Sequence, residues 1–201
     1  MMNPTFQGAL VRALAVAIFW AVYHTSVAYD NLHLDAVDPT ADVLFLGDSL
    51  FVQWPIQSPE SWEYVNRGHK VQNLAERGWR TKHLLRALPL PENSADTIVL
   101  SIGGCDLNEV WPEVAVLNTS HIVDVLLSTT DADIHVFTMA PAPGRDVEWD
   151  RFNYLLTSLW TAENANPRVT VVVWPTETTT FDGRHPDDVS YKRLVGWTPL
   201  E

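Results

Sequence analysis

The sequence predicts an α/β domain built on a parallel sheet. Three observations carry that expectation. Its strand-length apolar runs are continuous rather than alternating, as in strands buried on both faces. Those runs are separated by segments with helical periodicity. The composition is that of a folded domain, with 46% hydrophobic and 19% charged residues among 201.

The elements follow in order. Val43-Leu44-Phe45-Leu46 is the first apolar run and stops at Gly47. Val71 to Leu74 is a weaker strand. Lys82 to Leu88 places Leu84, Leu85 and Leu88 at helical spacing. Thr97 to Ile102 is a buried strand ending at Gly103-Gly104. From Val114 to Leu127, the residues Val114, Leu117, Ile122, Val125 and Leu126 suggest a helix facing the core. Ile134 to Met139 is a fourth strand, stopped by Pro141 and Pro143. Trp149 to Ala162 reads as a long amphipathic helix with Trp149, Phe152, Leu155, Leu156 and Leu159 on one face. Val169 to Trp174 is the fifth strand, and Asp187 to Trp197 a closing helix.

The amino terminus has a different character. Arg12 is the only charged side chain before Asp30, and an apolar run from Ala13 to Tyr23 leads to small residues at Ser26-Val27-Ala28. That pattern predicts a signal peptide over residues 1–28. An uncleaved anchor over residues 9–29 is one alternative, since a span needs roughly 20 residues, and an apolar helix packed on the domain is another. The signal peptide or the anchor would place the protein outside the cytoplasm: secreted, periplasmic or tethered to a membrane. Residues 29–40 read as a stem ending at a Pro39 signal, and 41–201 as the domain. The formal charge of −12 argues against a nucleic-acid partner, which needs clustered Lys and Arg. It equally opposes docking on anionic lipid. With one cysteine, Cys105, no internal disulfide can form. Seven histidines show no metal-ligand spacing, so neither metal nor cofactor is expected.

Parallel sheets bind ligands at the carboxyl ends of their strands. The polar residues expected there are Asp48-Ser49, Glu76-Arg77-Gly78, Cys105-Asp106 and the Asp182–His185 segment. Ser49 follows a strand and a glycine, so its hydroxyl can stand above the sheet edge; alternatively, Asp48 and Ser49 only cap a helix. Asp182 and His185, three residues apart with Gly183 between, can bring a carboxylate onto an imidazole, although a plain turn also fits. A serine hydroxyl needs such a base near neutral pH, and the base needs a partner to fix its tautomer. Together the two segments outweigh either alone.

Phe45-Leu46-Gly47-Asp48-Ser49-Leu50 resembles the first sequence block of the SGNH/GDSL hydrolases. Asp182-Gly183-Arg184-His185-Pro186-Asp187 resembles their last. Asn73 to Thr81 and Ser101 to Leu107 resemble the second and third, so the likeness spans residues 42–191. It implies a three-layer α/β/α sandwich with a five-stranded sheet of flavodoxin-like strand order. It implies Ser49 as nucleophile, His185 as base and Asp182 as its orienter, with the amides of Ser49 and Gly78 in an oxyanion hole. The activity implied is a serine esterase or acylhydrolase acting on a small-molecule or glycan ester. An O-acyltransferase with the same triad and a catalytically weak glycan-binding module are the alternatives.

One position departs from the pattern. Cys105 stands where the family carries an oxyanion-hole Asn, and a thiol is a weak donor. Two backbone donors can suffice, Asn108 can substitute from the next turn, or turnover is impaired. Cys105 also fits a small buried residue at a strand end. Among nine tryptophans, Trp149, Trp160 and Trp174 fit the core, whereas Trp54, Trp79 and Trp111 follow the motif blocks and either border the cleft or are buried. Arg77 and Arg184 fit solvated surface charges or partners of Asp187 and its neighbours, and can alternatively meet an anionic substrate.

Overall fold

A computed structural model describes residues 37–93, 95–142, 144, 146–160 and 166–194. The expected signal peptide or anchor over 1–28 lies outside the described residues, as do Ala162 and Trp197.

Five strands form the sheet: β1 (Val43–Gly47), β2 (Val71–Asn73), β3 (Thr97–Ser101), β4 (Asp133–Phe137) and β5 (Val169–Val172). They pair in parallel in the order β2-β1-β3-β4-β5. This is the expected flavodoxin-like order. Among the described residues, six α-helices lie between or after them: α1 (Ser49–Gln57), α2 (Pro59–Val65), α3 (Thr81–Ala87), α4 (Pro112–Thr129), α5 (Asp146–Trp160) and α6 (Asp188–Arg193). Helices α1 and α2, both on the path from β1 to β2, were not distinguished in the sequence beyond the turn at Ser49.

The pleat assigns the two cores. Val43 and Phe45 of β1, with Val99, Phe137 and Val172, face Leu50, Phe51 and Trp54 of α1, Val65 of α2 and Tyr191 of α6 in one cluster. The intervening residues Leu44, Leu46, Ile98, Leu100 and Ile134 are equally buried, and alternation along a strand turns them to the opposite face. Helices α3, α4 and α5 pack side by side in chain order. Every residue of β1 and β3 is buried, which is why these runs are apolar without alternation.

The burial of α4 differs from the expectation. Its inward face is Pro112, Ala115, Val116, Thr119, Ile122, Val123 and Leu126, while Val114 and Leu117 are 40% and 66% exposed. Ile122 and Leu126 face inward as expected, but the first half of that face is built from Pro112, Ala115, Val116 and Thr119, which a search for large side chains passes over. Likewise Leu159 of α5 is exposed. Residues 37–40 of the expected stem lie against the domain: Val37 is buried, the Asp38 amide donates to Gln72 Oε1 at 2.7 Å, and Lys70 pairs with the Asp38 carboxylate at 2.9 Å.

Candidate active site

The site begins at the end of β1. Gly47 has φ +143°, and a Cβ there would stand 1.9 Å from the Ser101 carbonyl oxygen of β3. Only glycine lets the two central strands close at this point. The Asp48 amide then donates to that same Ser101 oxygen at 2.9 Å. Asp48 turns the chain into α1 as its N-cap, its carboxylate accepting from the Leu50 amide at 3.0 Å. Ser49 is thereby the first residue of α1. Pro55 within α1 lacks the N–H that would bond the Phe51 carbonyl; Asn73 Nδ2 donates to that oxygen at 2.9 Å. The same Asn73 accepts from the Ala75 amide, and the Glu76 amide donates to the Gly47 carbonyl at 3.0 Å. The loop bearing Arg77 and Gly78 is thus pinned beside Ser49.

At the other end of the chain, residues 179–187 fold back on themselves. Thr180 and Pro186 form an antiparallel bridge, and the Phe181 amide donates to the His185 carbonyl at 3.1 Å. Gly183 makes the turn with φ +80°. Asp182 Oδ1 accepts from the amides of Arg184 and His185, at 2.9 and 2.8 Å. Its Oδ2 lies 2.7 Å from His185 Nδ1, and His185 Nε2 lies 2.7 Å from Ser49 Oγ. A carboxylate only accepts, so Nδ1 carries the ring proton and Nε2 faces Ser49 as an acceptor. Partial burial pushes the Asp182 carboxyl up, but the His185 amide and ring and the Arg184 amide outweigh it and hold the group at about 2.

Neither segment positions itself alone. Tyr191 of α6 donates to the Leu50 carbonyl of α1 at 2.7 Å and stacks on Trp54 at 5.4 Å between ring centroids. Ser58 Oγ donates to Asp188 Oδ1 at 2.7 Å. The helix after the His185 loop is therefore bolted to the helix carrying Ser49. Tyr191, Trp54 and Ser58 escaped the sequence analysis as site supports. Phe181 stacks against the His185 ring at 5.8 Å.

The third wall follows β3. Asp106 accepts from the Thr81 hydroxyl at 2.6 Å and the Thr81 amide at 2.9 Å, which ties the short 3-10 turn Asp106–Asn108 to α3. Cys105 lines the cleft, and burial, then the charges of Asp48 and Asp106, push its thiol up to about 11. A thiol so protonated is no nucleophile at neutral pH. Asn108 also lines the cleft, with its Nδ2 donating to the Cys105 carbonyl at 3.1 Å.

Ser49, Gly78, Cys105, Asp182 and His185 all face one cleft of about 350 Å³, with Arg77, Arg184, Met139 and Trp149 among its other walls. The four places expected at the sheet edge therefore meet. The aromatic expectations divide differently. Trp54 and Trp79 are buried and Trp111 is 78% exposed, and none of them lines the cleft; Trp149 does. Asp187 accepts from Thr179 and Ser190 and pairs with neither Arg77 nor Arg184.

Asp48 is only 3% exposed. Burial, assisted by the charge of Asp106 and opposed by the Leu50 amide, pushes its carboxyl up to about 7. The unfolded chain would hold this group near 3.8. Its stabilising contribution is therefore complete below that value and is lost as pH rises through about 7. Asp48→Asn keeps the cap acceptor and removes the ionisation. We expect thermal unfolding to show the variant gaining on the wild type between pH 5 and pH 8. Parallel curves across that range would refute the assignment.

No family model and no curated protein matches the sequence. Solved structures do match. A protein from Streptococcus pneumonia, provisionally described as a platelet activating factor, shares 22% identity over 97% of both chains, with TM-score 0.63. A member of the lipolytic protein G-D-S-L family from Veillonella parvula shares 14% identity over 77% of this chain and 93% of its own, with TM-score 0.61. A family 3 carbohydrate esterase from Clostridium thermocellum shares 16% identity over 78% and 92%, with TM-score 0.59. The chain has the α/β fold shared by GDSL lipolytic proteins and carbohydrate esterases.

Proposed function

We propose that this protein is a serine ester hydrolase in which Ser49 forms an acyl-enzyme intermediate. The observation that carries the reading is the continuous relay from Asp182 through His185 to Ser49, with 2.7 Å at each step. Ser49 Oγ attacks the ester carbonyl while its proton passes to His185 Nε2. Asp182 stabilises the imidazolium and keeps the ring oriented. The oxyanion rests on the backbone amides of Ser49 and Gly78. His185 then returns the proton to the departing alcohol, and water, deprotonated by the same ring, releases the acid and restores Ser49.

The modest cleft favours short acyl groups, on a small-molecule or glycan alcohol. The leader pattern in residues 1–28 supports an extracytoplasmic site of action. N-terminal sequencing of protein recovered outside the cytoplasm separates a cut after Ala28 from a retained anchor.

The test is covalent capture. A fluorophosphonate probe should add one phosphonyl group to the full chain, at Ser49 by peptide mapping, and none to Ser49→Ala. Labelling that persists in the variant, or never occurs, would sink this reading.

Cys105 stands in this reading as a weak member of the oxyanion hole. Removing a full donor costs about 10²–10³ in turnover. Cys105→Asn should therefore raise kcat on p-nitrophenyl acetate by roughly tenfold or more, with KM little changed. An unchanged kcat would mean that other donors complete the hole.

A further inference from the structure

Two arginines line the cleft, and neither has a carboxylate partner among the described residues. Arg77 comes from the loop after β2 and Arg184 from the turn between Asp182 and His185. Both residues line the cleft that holds Ser49 and both are exposed. Neither takes part in any ion pair among the described residues, whereas Lys70, Arg80, Arg151, Lys192 and Arg193 each do; Arg67 and Lys82 are likewise without an ion pair there but do not line the cleft. Arg168 is likewise occupied, on the carbonyls of Leu127, Thr130 and Ala132.

Glu76, beside Arg77 in the chain, takes part in no ion pair among the described residues, and three other acids near the cleft are engaged elsewhere. Asp182 accepts from two amides and the His185 ring. Asp187 accepts from Thr179 and Ser190. Asp48 is buried and bonded to the Leu50 amide. The charge of Arg184 reaches the interior of the cleft, where it acts on the Cys105 thiol. All this occurs in a chain of net charge −12, whose surface repels anions in general. Two unpaired cations at one concave place offset the Asp182 charge in the same wall. Guanidinium groups also present a fork of donors that fits carboxylate and phosphate oxygens.

We propose that Arg77 and Arg184 together recognise an anionic group, and that the substrate is an ester carrying a carboxylate or phosphate close to the scissile bond. The proposal rests on the ester-hydrolase reading of Ser49. The anion can lie on the acyl or on the alcohol side, and matched substrates separate the two. Mono-p-nitrophenyl adipate against its methyl ester places the charge on the acyl side. 3-Acetoxybenzoate against its methyl ester places it on the alcohol side.

In the full chain, kcat/KM should favour the anionic member of at least one pair, and rising salt should erode that preference. In Arg77→Gln/Arg184→Gln the anionic-to-neutral ratio should fall about tenfold, equivalent to about 1.4 kcal/mol, mainly through KM. Arg77→Lys/Arg184→Lys keeps the charge but not the fork, so its ratio should lie between those of the wild type and the Gln variant, which a merely structural role would not predict. The same ratio in wild type and the Gln variant, for both pairs, would overturn the proposal. Calorimetric binding of 3-hydroxybenzoate and adipate provides a readout independent of turnover. One of them should bind the wild type about tenfold more tightly than the Gln variant; equal affinity, or no binding by either, would count against the anion site. Arginine-dependent binding without Ser49-dependent turnover would leave the anion site standing and remove the esterase.

Discussion

His185→Ala and Ser49→Ala are each expected to lower kcat/KM on p-nitrophenyl acetate by about 10⁴-fold or more, and the double variant by little beyond that. The reason is the relay itself. Without the imidazole, Ser49 Oγ loses the acceptor 2.7 Å away that takes its proton, and an unassisted hydroxyl is a poor nucleophile. Without Ser49, His185 has no nucleophile to activate. Members of one proton relay do not contribute additively, so the second removal has little left to destroy. Steady-state rates of the four proteins, with circular dichroism to establish folding, provide the measurement. Additive losses would show that Ser49 and His185 act independently, contrary to the relay.

Gly47→Ala is expected to prevent folding. The added methyl would lie 1.9 Å from the carbonyl oxygen and 2.8 Å from the carbonyl carbon of Ser101. Those are backbone atoms of a central strand, paired in register with Gly47, and they cannot rotate away as a side chain could. The φ of +143° adds strain of its own. The combined penalty, on the order of 4 kcal/mol or more, is comparable to the whole stability of a marginal domain. Gly183→Ala is the informative contrast: its φ is also positive, at +80°, but nothing lies within 4 Å of the new Cβ. That variant should lose only about 1–2 kcal/mol. Urea unfolding of both proteins decides the point, and a Gly47→Ala protein with near wild-type stability would contradict the close approach.

The sheet was legible because burial on both faces forces continuous apolar strands, and β1 and β3 have no solvent face to require polar alternation. Its strand order was not read from the runs themselves; it came with the resemblance carried by four short blocks. Ser49, Asp182 and His185 were legible for a related reason. Their residue types and their placement after the first and last strands left one sheet edge where they could meet. Helix α4 was less legible. Its buried face is built partly from Ala115 and Thr119, which a search for large apolar side chains overlooks.

The sequence by itself thus determined the fold class, the positions of the five strands to within two residues at their ends, and the chemical types gathered beyond them. Those follow from local periodicity and from glycine at a crowded turn. Only the tertiary structure decided what holds the site in place. Tyr191 donating to Leu50, Trp54 stacked on Tyr191 and Asn73 completing the bond that Pro55 cannot make join segments far apart in the chain. The structure likewise decided that Arg77 and Arg184 find no carboxylate among the described residues. Whether a charged side chain is paired depends on which acids come within reach after folding and on what those acids already bind, and neither is encoded in local spacing.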